Sequence, residues 1–276
     1  MAEGKIIVSV SRRSDIPAFF GEWFIEKVKQ GFVEVPNPFN NSTYRAPLSL
    51  AETAAFVFWS KNFIPFREKL TILEKIGYQK FLFNYTITGL PEIFEPHVPP
   101  AEKSMEDFIE LAKIYGREVM FWRFDPIIIS DITGFDYHLL RFGELADKLA
   151  AYAGRCIFSF AFFYHKVKRS LEKLKNDTGV SVIDPDVNLK RELTEALSEK
   201  AAEFGIKLHA CCCDYLLDIP GIEKSRCVDG ELISEMYGGE YRFKEKPSRP
   251  GCGCYESVDI GQYGTCQGGC GYCYAG

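Results

Sequence analysis

Six short apolar runs alternate with amphipathic segments along most of the chain, and this alternation constrains the fold more than any other feature. The runs are rich in β-branched and aromatic residues, which is typical of buried strands. The segments between them have helical spacing, and most end at or near a glycine. Such alternation predicts an α/β fold with a parallel sheet, open or closed into a barrel, and helical crossovers. We predict strands at residues 5–11, 54–61, 80–88, 118–129, 155–163 and 207–213, and helices at residues 16–31, 65–77, 104–116, 137–154, 166–178 and 188–205.

Two segments depart from this pattern. Residues 33–50 interrupt it, and the turn residues Asn40 and Asn41 indicate a hairpin or a similar excursion. From about residue 217 the alternation stops, and 8 of the last 35 residues are glycines. We therefore predict a barrel domain at residues 1–216 and an irregular, cysteine-rich cap at residues 217–276, within one globular unit. Ser104 and Asp107 are expected to mark the start of the helix at 104–116.

Charge and hydropathy exclude several classes of protein. The formal net charge is -5, which makes nucleic acid an unlikely partner, because sequence-independent binding needs a basic surface. The apolar runs are too short to span a bilayer, and the first residues do not resemble a secretory signal peptide. We therefore expect a cytoplasmic protein without a membrane partner, in which the 10 cysteines do not form a disulfide framework.

Polar side chains lie at the ends of the first five predicted strands. The carboxyl ends of parallel strands meet at one edge of the sheet, where ligands bind in α/β folds. Any single charge there has an ordinary explanation, because strand ends meet solvent. Together these groups favour a site for an anionic or zwitterionic small molecule, since arginine binds carboxylates through paired donors. The candidates are Arg12, Arg13, Asp15, Lys61, Asn84, Arg123 and Asp125.

The cysteines are concentrated near the end of the sequence. Nine of the 10 lie in residues 211–276, and Cys266, Cys270 and Cys273 have the spacing C-x3-C-x2-C on a glycine-rich segment. Iron–sulfur clusters are held by thiolates on loops of this kind. A closed structural zinc site would need a fourth ligand. Three cysteines would leave one iron of a [4Fe-4S] cluster open to a substrate or cofactor.

The motif C-x3-C-x2-C, with Tyr272 before its last cysteine, resembles the cluster loop of the radical S-adenosylmethionine (SAM) superfamily. The resemblance implies a partial (β/α)6 barrel similar to a TIM barrel, with Cys266, Cys270 and Cys273 as cluster ligands. It also implies that SAM binds to the open iron. In that superfamily the loop normally follows the first strand, whereas here it follows the last, so a permuted arrangement is required. The segments SVSRRSDIPAFF, WSKN and CGCYESVDIGQYGTCQGGCGYCYA also resemble a family of unknown function with this terminal motif.

A second set of cysteines is more dispersed in the sequence. Cys211, Cys227, Cys252 and Cys254 would complete a closed ligand set for a second [4Fe-4S] cluster or for zinc. Cys213 is the substitute for Cys211, because alternate residues of a strand point to the same side. Cys156 is expected to be an ordinary core thiol.

The leading hypothesis is a radical SAM-like enzyme that abstracts hydrogen from an unknown substrate. Its reducing electron would come from a donor such as ferredoxin or flavodoxin. Two alternatives remain, an iron–sulfur protein without SAM chemistry and a binding module with structural zinc. We expect Arg12, Lys61, Arg123 and Asp125 to line the reaction site. The residues expected to contact the cofactor are Arg13, Asp15, Asn84 and Tyr272.

Overall fold

A computed structural model describes residues 4–38, 40 and 42–276 of the chain. The chain groups into two compact units, which are described separately below. The first unit comprises Met1–Tyr85, Arg226–Gln267 and Ala275–Gly276, and the second comprises Thr86–Ser225 and Gly268–Tyr274.

Strands and helices alternate over most of the described residues. The strands are β1 (Ile6–Val10), β2 (Phe32–Pro36), β3 (Thr43–Pro47), β4 (Thr53–Ser60), β5 (Phe81–Thr86), β6 (Met120–Ile127), β7 (Ile129–Ser130), β8 (Arg155–Phe160), β9 (Val182–Ile183), β10 (Leu208–Ala210), β11 (Ile222–Lys224) and β12 (Val258–Asp259). The α-helices are α1 (Ile16–Phe19), α2 (Gly21–Gln30), α3 (Arg67–Ile76), α4 (Ala101–Tyr115), α5 (Phe135–Leu149), α6 (His165–Thr178), α7 (Val187–Glu203) and α8 (Gly230–Glu235).

The first unit is built on four parallel strands in the order β5-β4-β1-β12. Strands β2 and β3 form a separate antiparallel hairpin. Helix α2 contributes Phe24, whose ring packs edge-on against Phe56 and Phe58 of β4, with centroids 5.2 and 6.0 Å away. Helix α2 ends at Gly31, whose φ of 83° is accessible mainly to glycine. Aromatic burial therefore fixes this helix on the sheet.

The second unit has four further parallel strands in the order β11-β10-β8-β6, and β7 pairs with β9 in antiparallel fashion. Its core includes the fully buried Trp122 of β6, which stacks on Phe142 of α5 at 5.2 Å. The indole N–H of Trp122 donates to the Ile87 carbonyl oxygen at 2.9 Å, so the ring is both packed and hydrogen-bonded. Helix α5 is thereby held against β6.

The predicted α/β class is confirmed, with eight parallel strands among the described residues, four in each unit. All six predicted strands and all six predicted helices are present, and the predicted hairpin corresponds to β2 and β3. The strand pairings described within each unit do not form a closed ring. Of the two predicted turn residues in the hairpin, Asn41 lies outside the described residues. In the described part of the chain, no helix is long and apolar enough to span a membrane.

Three expectations about elements were wrong. The strand at 207–213 is not the last, because β11 and β12 follow it. The helix predicted at 16–31 is divided at Phe20, where φ is -130° and the chain leaves the helical region. Helix α4 begins at Ala101 after Pro100, and Ser104 and Asp107 are buried within it. Pro100 occupies the N-cap position without a side-chain hydrogen bond, and its fixed φ of -50° suits the entry into a helix.

His138 makes the stability of the fold sensitive to pH. It is buried in α5, its Nε2 donates to the Ile128 carbonyl oxygen at 2.7 Å, and desolvation lowers its pKa to about 4. The unfolded chain takes up this proton near pH 6.5, so the stability contributed by neutral His138 is lost as the pH falls from about 6.5 towards 4. From about pH 7.5 to pH 5, the free energy of unfolding measured with urea should fall by about 2 kcal/mol more in wild type than in His138→Gln. Equal losses would contradict the assignment.

Candidate functional site

A buried carboxylate organises the carboxyl end of β1. Asp259 of β12 is 6% exposed and lies opposite Ser9 in the parallel pairing of β1 with β12. Its carboxylate accepts hydrogen bonds from the hydroxyls of Ser9 at 2.7 Å and Ser11 at 2.8 Å. The backbone N–H groups of Arg12 and Gly261 donate to it at 2.8 and 3.0 Å. Sequence reasoning missed Asp259, although the apolar residues on either side of it were a signal for a short strand.

Two of the predicted site residues flank this carboxylate. The Nε of Arg12 lies 3.5 Å from one carboxylate oxygen of Asp259, and the Nε of Arg13 lies 4.0 Å from the other. The Arg12 guanidinium lies over the Trp59 ring at 5.8 Å, and that of Arg13 lies over the Tyr263 ring at 5.5 Å. The first unit therefore brings Arg12 and Arg13 together, and each guanidinium lies over an aromatic ring.

Asp15 connects the start of α1 to the end of β4. Its carboxylate accepts hydrogen bonds from the N–H of Ala18 at 3.0 Å, the hydroxyl of Ser60 at 2.6 Å and the N–H of Lys61 at 2.9 Å. Burial raises the pKa of the Asp15 carboxyl, and the hydrogen bond from Ser60 is the largest effect that opposes this. Asp15 thus caps a helix and fixes the backbone of Lys61.

The second unit contains the other pair of predicted strand-end residues. Arg123 and Asp125 are two residues apart on β6 and therefore project from the same face. The Arg123 guanidinium donates to the Asp125 carboxylate, and so does the hydroxyl of Ser159 on β8. The structure therefore forms an ion pair here, supported by a neighbouring strand.

Three of the predicted metal ligands converge in the first unit. The thiols of Cys227 and Cys252 are hydrogen-bonded to that of Cys254, and these contacts raise the pKa of Cys254. The backbone N–H of Val228 points to the Cys254 sulfur at 3.5 Å, and that of Cys254 to the Cys252 sulfur at 3.4 Å. The hydroxyl of Ser248 donates to the Cys252 sulfur at 3.4 Å. Buried sulfurs that receive N–H and O–H donors are a feature shared with iron–sulfur ligands.

Asn84 lies beside this thiol group. It is fully buried at the end of β5, and its Nδ2 donates to the Cys227 carbonyl oxygen at 3.0 Å. Its Oδ1 has no hydrogen-bond partner among the described residues. A buried acceptor without a partner costs about 1–3 kcal/mol, so this oxygen is suited to a group that the protein alone does not supply.

The remaining cysteine of the second set, Cys211, and its substitute Cys213 lie directly after β10 in the second unit. Cys211 and Cys213 are buried, whereas Cys212 is half-buried. Cys212 has a φ of 57°, which is uncommon for a residue other than glycine, and its sulfur lies 3.9 Å from that of Cys211. Cys156 is buried in β8, and desolvation raises its pKa, as expected for a core thiol.

The terminal cysteine motif is anchored in each unit. In the first unit, Cys266 follows Thr265, whose hydroxyl bonds to that of Ser14 at 2.9 Å, just beyond β1. In the second unit, the N–H of Cys273 donates to the Cys270 carbonyl oxygen at 3.0 Å. All three cysteines are half-buried. The loop therefore presents partly accessible thiols instead of core thiols.

Tyr272 anchors this loop in the core of the second unit. Its ring is buried with Phe94 and other apolar residues, and its hydroxyl donates to the buried Glu95 carboxylate. The N–H of Gly271 donates to the Phe94 carbonyl oxygen at 3.0 Å. Burial raises the pKa of the Tyr272 phenol, and the Glu95 charge adds to this. Tyr272, the aromatic residue predicted to contact the cofactor, is therefore buried and anchors the backbone between Cys270 and Cys273.

The cysteine side chains are chemically suited to a thiophilic metal, but their positions in the structure are less so. In the part of the chain that the structure describes, no three His, Cys, Asp or Glu side chains are arranged to hold a metal ion. The donor set therefore fits the chemistry of iron–sulfur or zinc centres, whereas the described positions of these side chains do not form a metal site.

Comparison with known proteins identifies a family. A crystal structure of D-hydantoinase from Bacillus sp. AR9 matches with a TM-score of 0.28 and 10% identity, over 58% of this chain. This chain spans 34% of that protein, and the similarity is too weak to indicate a shared fold. A search of curated proteins found no match. The model of a domain of unknown function, DUF1848, matches residues 7–275, and the chain therefore belongs to the DUF1848 family.

Proposed function

We propose that this protein is a radical SAM-like enzyme that holds a [4Fe-4S] cluster through Cys266, Cys270 and Cys273. One observation carries the proposal. The segment that leads into Cys266 is bonded to Ser14, in the loop that follows β1, through the Thr265 hydroxyl. The superfamily's cluster loop normally follows the first strand, so this contact supports the permuted arrangement that the sequence requires. The proposal includes the partial (β/α)6 barrel.

The chain's own residues prepare the cluster loop. Tyr272 and Gly271 fix the loop to Glu95 and Phe94, so the backbone between Cys270 and Cys273 is held before any ligand binds. At Gly269, φ is 65° and an added Cβ would lie 3.4 Å from His97 and Pro96. The positive φ, and not this ordinary van der Waals distance, favours glycine at the position. Preorganisation of this kind lowers the entropy lost when ligands are captured.

When bound, the cluster would supply one electron for the reductive cleavage of SAM to methionine and a 5′-deoxyadenosyl radical, and that radical would abstract hydrogen from the substrate. The polar strand ends orient the ligands. In the first unit Arg12 and Lys61 offer positive charge, and in the second unit Arg123 is oriented by Asp125. A cytoplasmic ferredoxin or flavodoxin would deliver the electron.

A second metal centre is proposed at Cys227, Cys252 and Cys254, with Cys211 as the fourth ligand. The burial of all four thiols supports a closed site. Zinc is the second candidate occupant, because four cysteine thiolates are a ligand set of structural zinc sites. An iron–sulfur occupant would relay electrons or anchor the substrate, whereas zinc would be structural.

Metal and product analysis test the proposal. Anaerobic reconstitution with iron and sulfide should give brown protein with about four to eight iron atoms per chain. Addition of dithionite and SAM should then yield 5′-deoxyadenosine, measured by chromatography. Brown protein that yields no 5′-deoxyadenosine would favour an iron–sulfur protein without SAM chemistry. Colourless protein that holds zinc would contradict the radical reading and favour a binding module.

A further inference from the structure

The carboxyl end of β1 contains more positive than negative charge. Arg12 and Arg13 each carry a guanidinium, and Asp259 is the carboxylate between them. The Asp15 carboxylate accepts hydrogen bonds from Ala18, Ser60 and Lys61, and its negative charge is matched by the positive charge of the Lys61 side chain. Two guanidiniums and one carboxylate leave a formal charge of about +1 at a partly buried position. An excess of positive charge at one place favours an anionic ligand.

Asp259 holds the two arginines by their inner nitrogens. Its carboxylate meets the Nε of each side chain, so the terminal nitrogens lie farther along the side chains. One terminal nitrogen of Arg12 donates to the Ser257 hydroxyl at 2.9 Å. The side chains of Arg12 and Arg13 are 22% and 19% exposed, so small molecules can reach them. The two guanidiniums, each lying over an aromatic ring, carry planar paired donors of the kind that bind oxyanions.

The carboxylate is itself held too firmly to be a mobile acid or base. Two hydroxyls and two backbone N–H groups donate to it, all within 3.0 Å. Its neighbour Gly261 has no room for a side chain, because an added Cβ would lie 1.9 Å from the Ser11 hydroxyl oxygen. These contacts therefore fix the position of the Asp259 carboxylate, and the carboxylate in turn positions Arg12 and Arg13.

We propose that Arg12 and Arg13 form an oxyanion-binding site, and that Asp259 is its positioning residue. The ligand is a small molecule with a carboxylate or phosphate group. The inference rests on the proposed function only in naming this molecule as the enzyme's substrate. Oxyanion binding does not require a cluster and is measured on cluster-free protein, so its failure is distinguishable from failure of the radical chemistry.

Calorimetric titration of the full chain with inorganic phosphate, and separately with acetate, tests the site at low ionic strength. A single oxyanion should bind wild type with a Kd of about 1 mM. Arg13→Gln should weaken this binding at least about tenfold, and Arg13→Lys less, because lysine keeps the charge without the planar fork. Tighter phosphate binding identifies a phosphate ligand, and tighter acetate binding a carboxylate. Binding of neither anion, or unchanged binding in Arg13→Gln, would overturn the site.

Asp259→Asn separates positioning from charge. The substitution raises the local charge by one, so charge alone would tighten phosphate binding, whereas loss of positioning should weaken it about threefold or more. Tighter binding would overturn the positioning role. If this variant does not fold, Arg12→Lys decides the question, because lysine keeps the charge and has no Nε–H group for Asp259. Full affinity in Arg12→Lys would then refute positioning.

Arg45→Gln is the matched control. Arg45 lies in the same unit, on β3, and its guanidinium stacks on the Phe32 ring at 4.0 Å. The substitution removes the same charge and a similar aromatic contact, so phosphate affinity should stay within about twofold. A loss as large as that of Arg13→Gln would show that net charge, and not the site, controls binding.

Discussion

Replacing Cys270 by Ala should abolish 5′-deoxyadenosine formation, with a loss of at least about 100-fold relative to wild type. Cys270 is one of three thiols in the proposed open site, and the remaining pair would not retain the cluster. Its side chain packs against the edge of the apolar cluster around Tyr272 and Phe94. Removal of one sulfur from this half-buried position should cost little stability. Product chromatography and iron analysis on the same anaerobic sample measure the effect.

Cys156→Ala is the control for this experiment. Cys156 is a buried thiol of β8, and burial raises its pKa, so it remains a neutral packing group. The variant should form 5′-deoxyadenosine within about twofold of wild type, provided that it folds. Continued product formation in Cys270→Ala would show that Cys266, Cys270 and Cys273 do not form the reactive centre.

The sequence predicts the strands best where burial on both faces selects apolar residues. Strand β4 carries seven buried positions among its eight residues, so its run of apolar and aromatic side chains is conspicuous. Strand β12 contains only Val258 and Asp259, and hydrogen bonds to Asp259 hold it beside β1. A two-residue strand held by a polar side chain has no periodicity to detect. Its pairing partner also lies about 250 residues away, which no local pattern encodes.

In the candidate site, too, the local sequence predicts some features and not others. The spacing C-x-C predicts that Cys252 and Cys254 act together, and chemistry suggests that Cys227 joins them. The contact itself depends on how the chain returns over the 25 positions from Cys227 to Cys252, which include the short helix α8. Arg12 and Arg13 were recognisable as charges after a strand, but the acid that orients them was not. Local sequence thus predicts which groups are reactive, whereas the partners that fix them come from distant segments.

Cys254→Ala should remove the second metal centre and leave the first. Cys254 is the thiol that is hydrogen-bonded to both Cys227 and Cys252, so its loss breaks the group at its middle. For an iron–sulfur occupant, reconstituted protein should lose about four of about eight iron atoms per chain, and for zinc it should lose one zinc. The midpoint of urea unfolding should also fall in the metal-loaded protein, because metal binding to the folded state contributes to stability.

The comparison with Cys270→Ala makes the separation of the two centres testable. If the centres are distinct, Cys254→Ala and Cys270→Ala should each remove their own metal, and the double variant should lose both. Only Cys270→Ala should then remove the open cluster needed to cleave SAM, so residual 5′-deoxyadenosine in Cys254→Ala reports on electron relay alone. If either substitution removes all the iron, the seven cysteines serve one centre and the closed site does not exist. Cys156→Ala again controls for the loss of a buried thiol, because desolvation keeps that thiol neutral in β8.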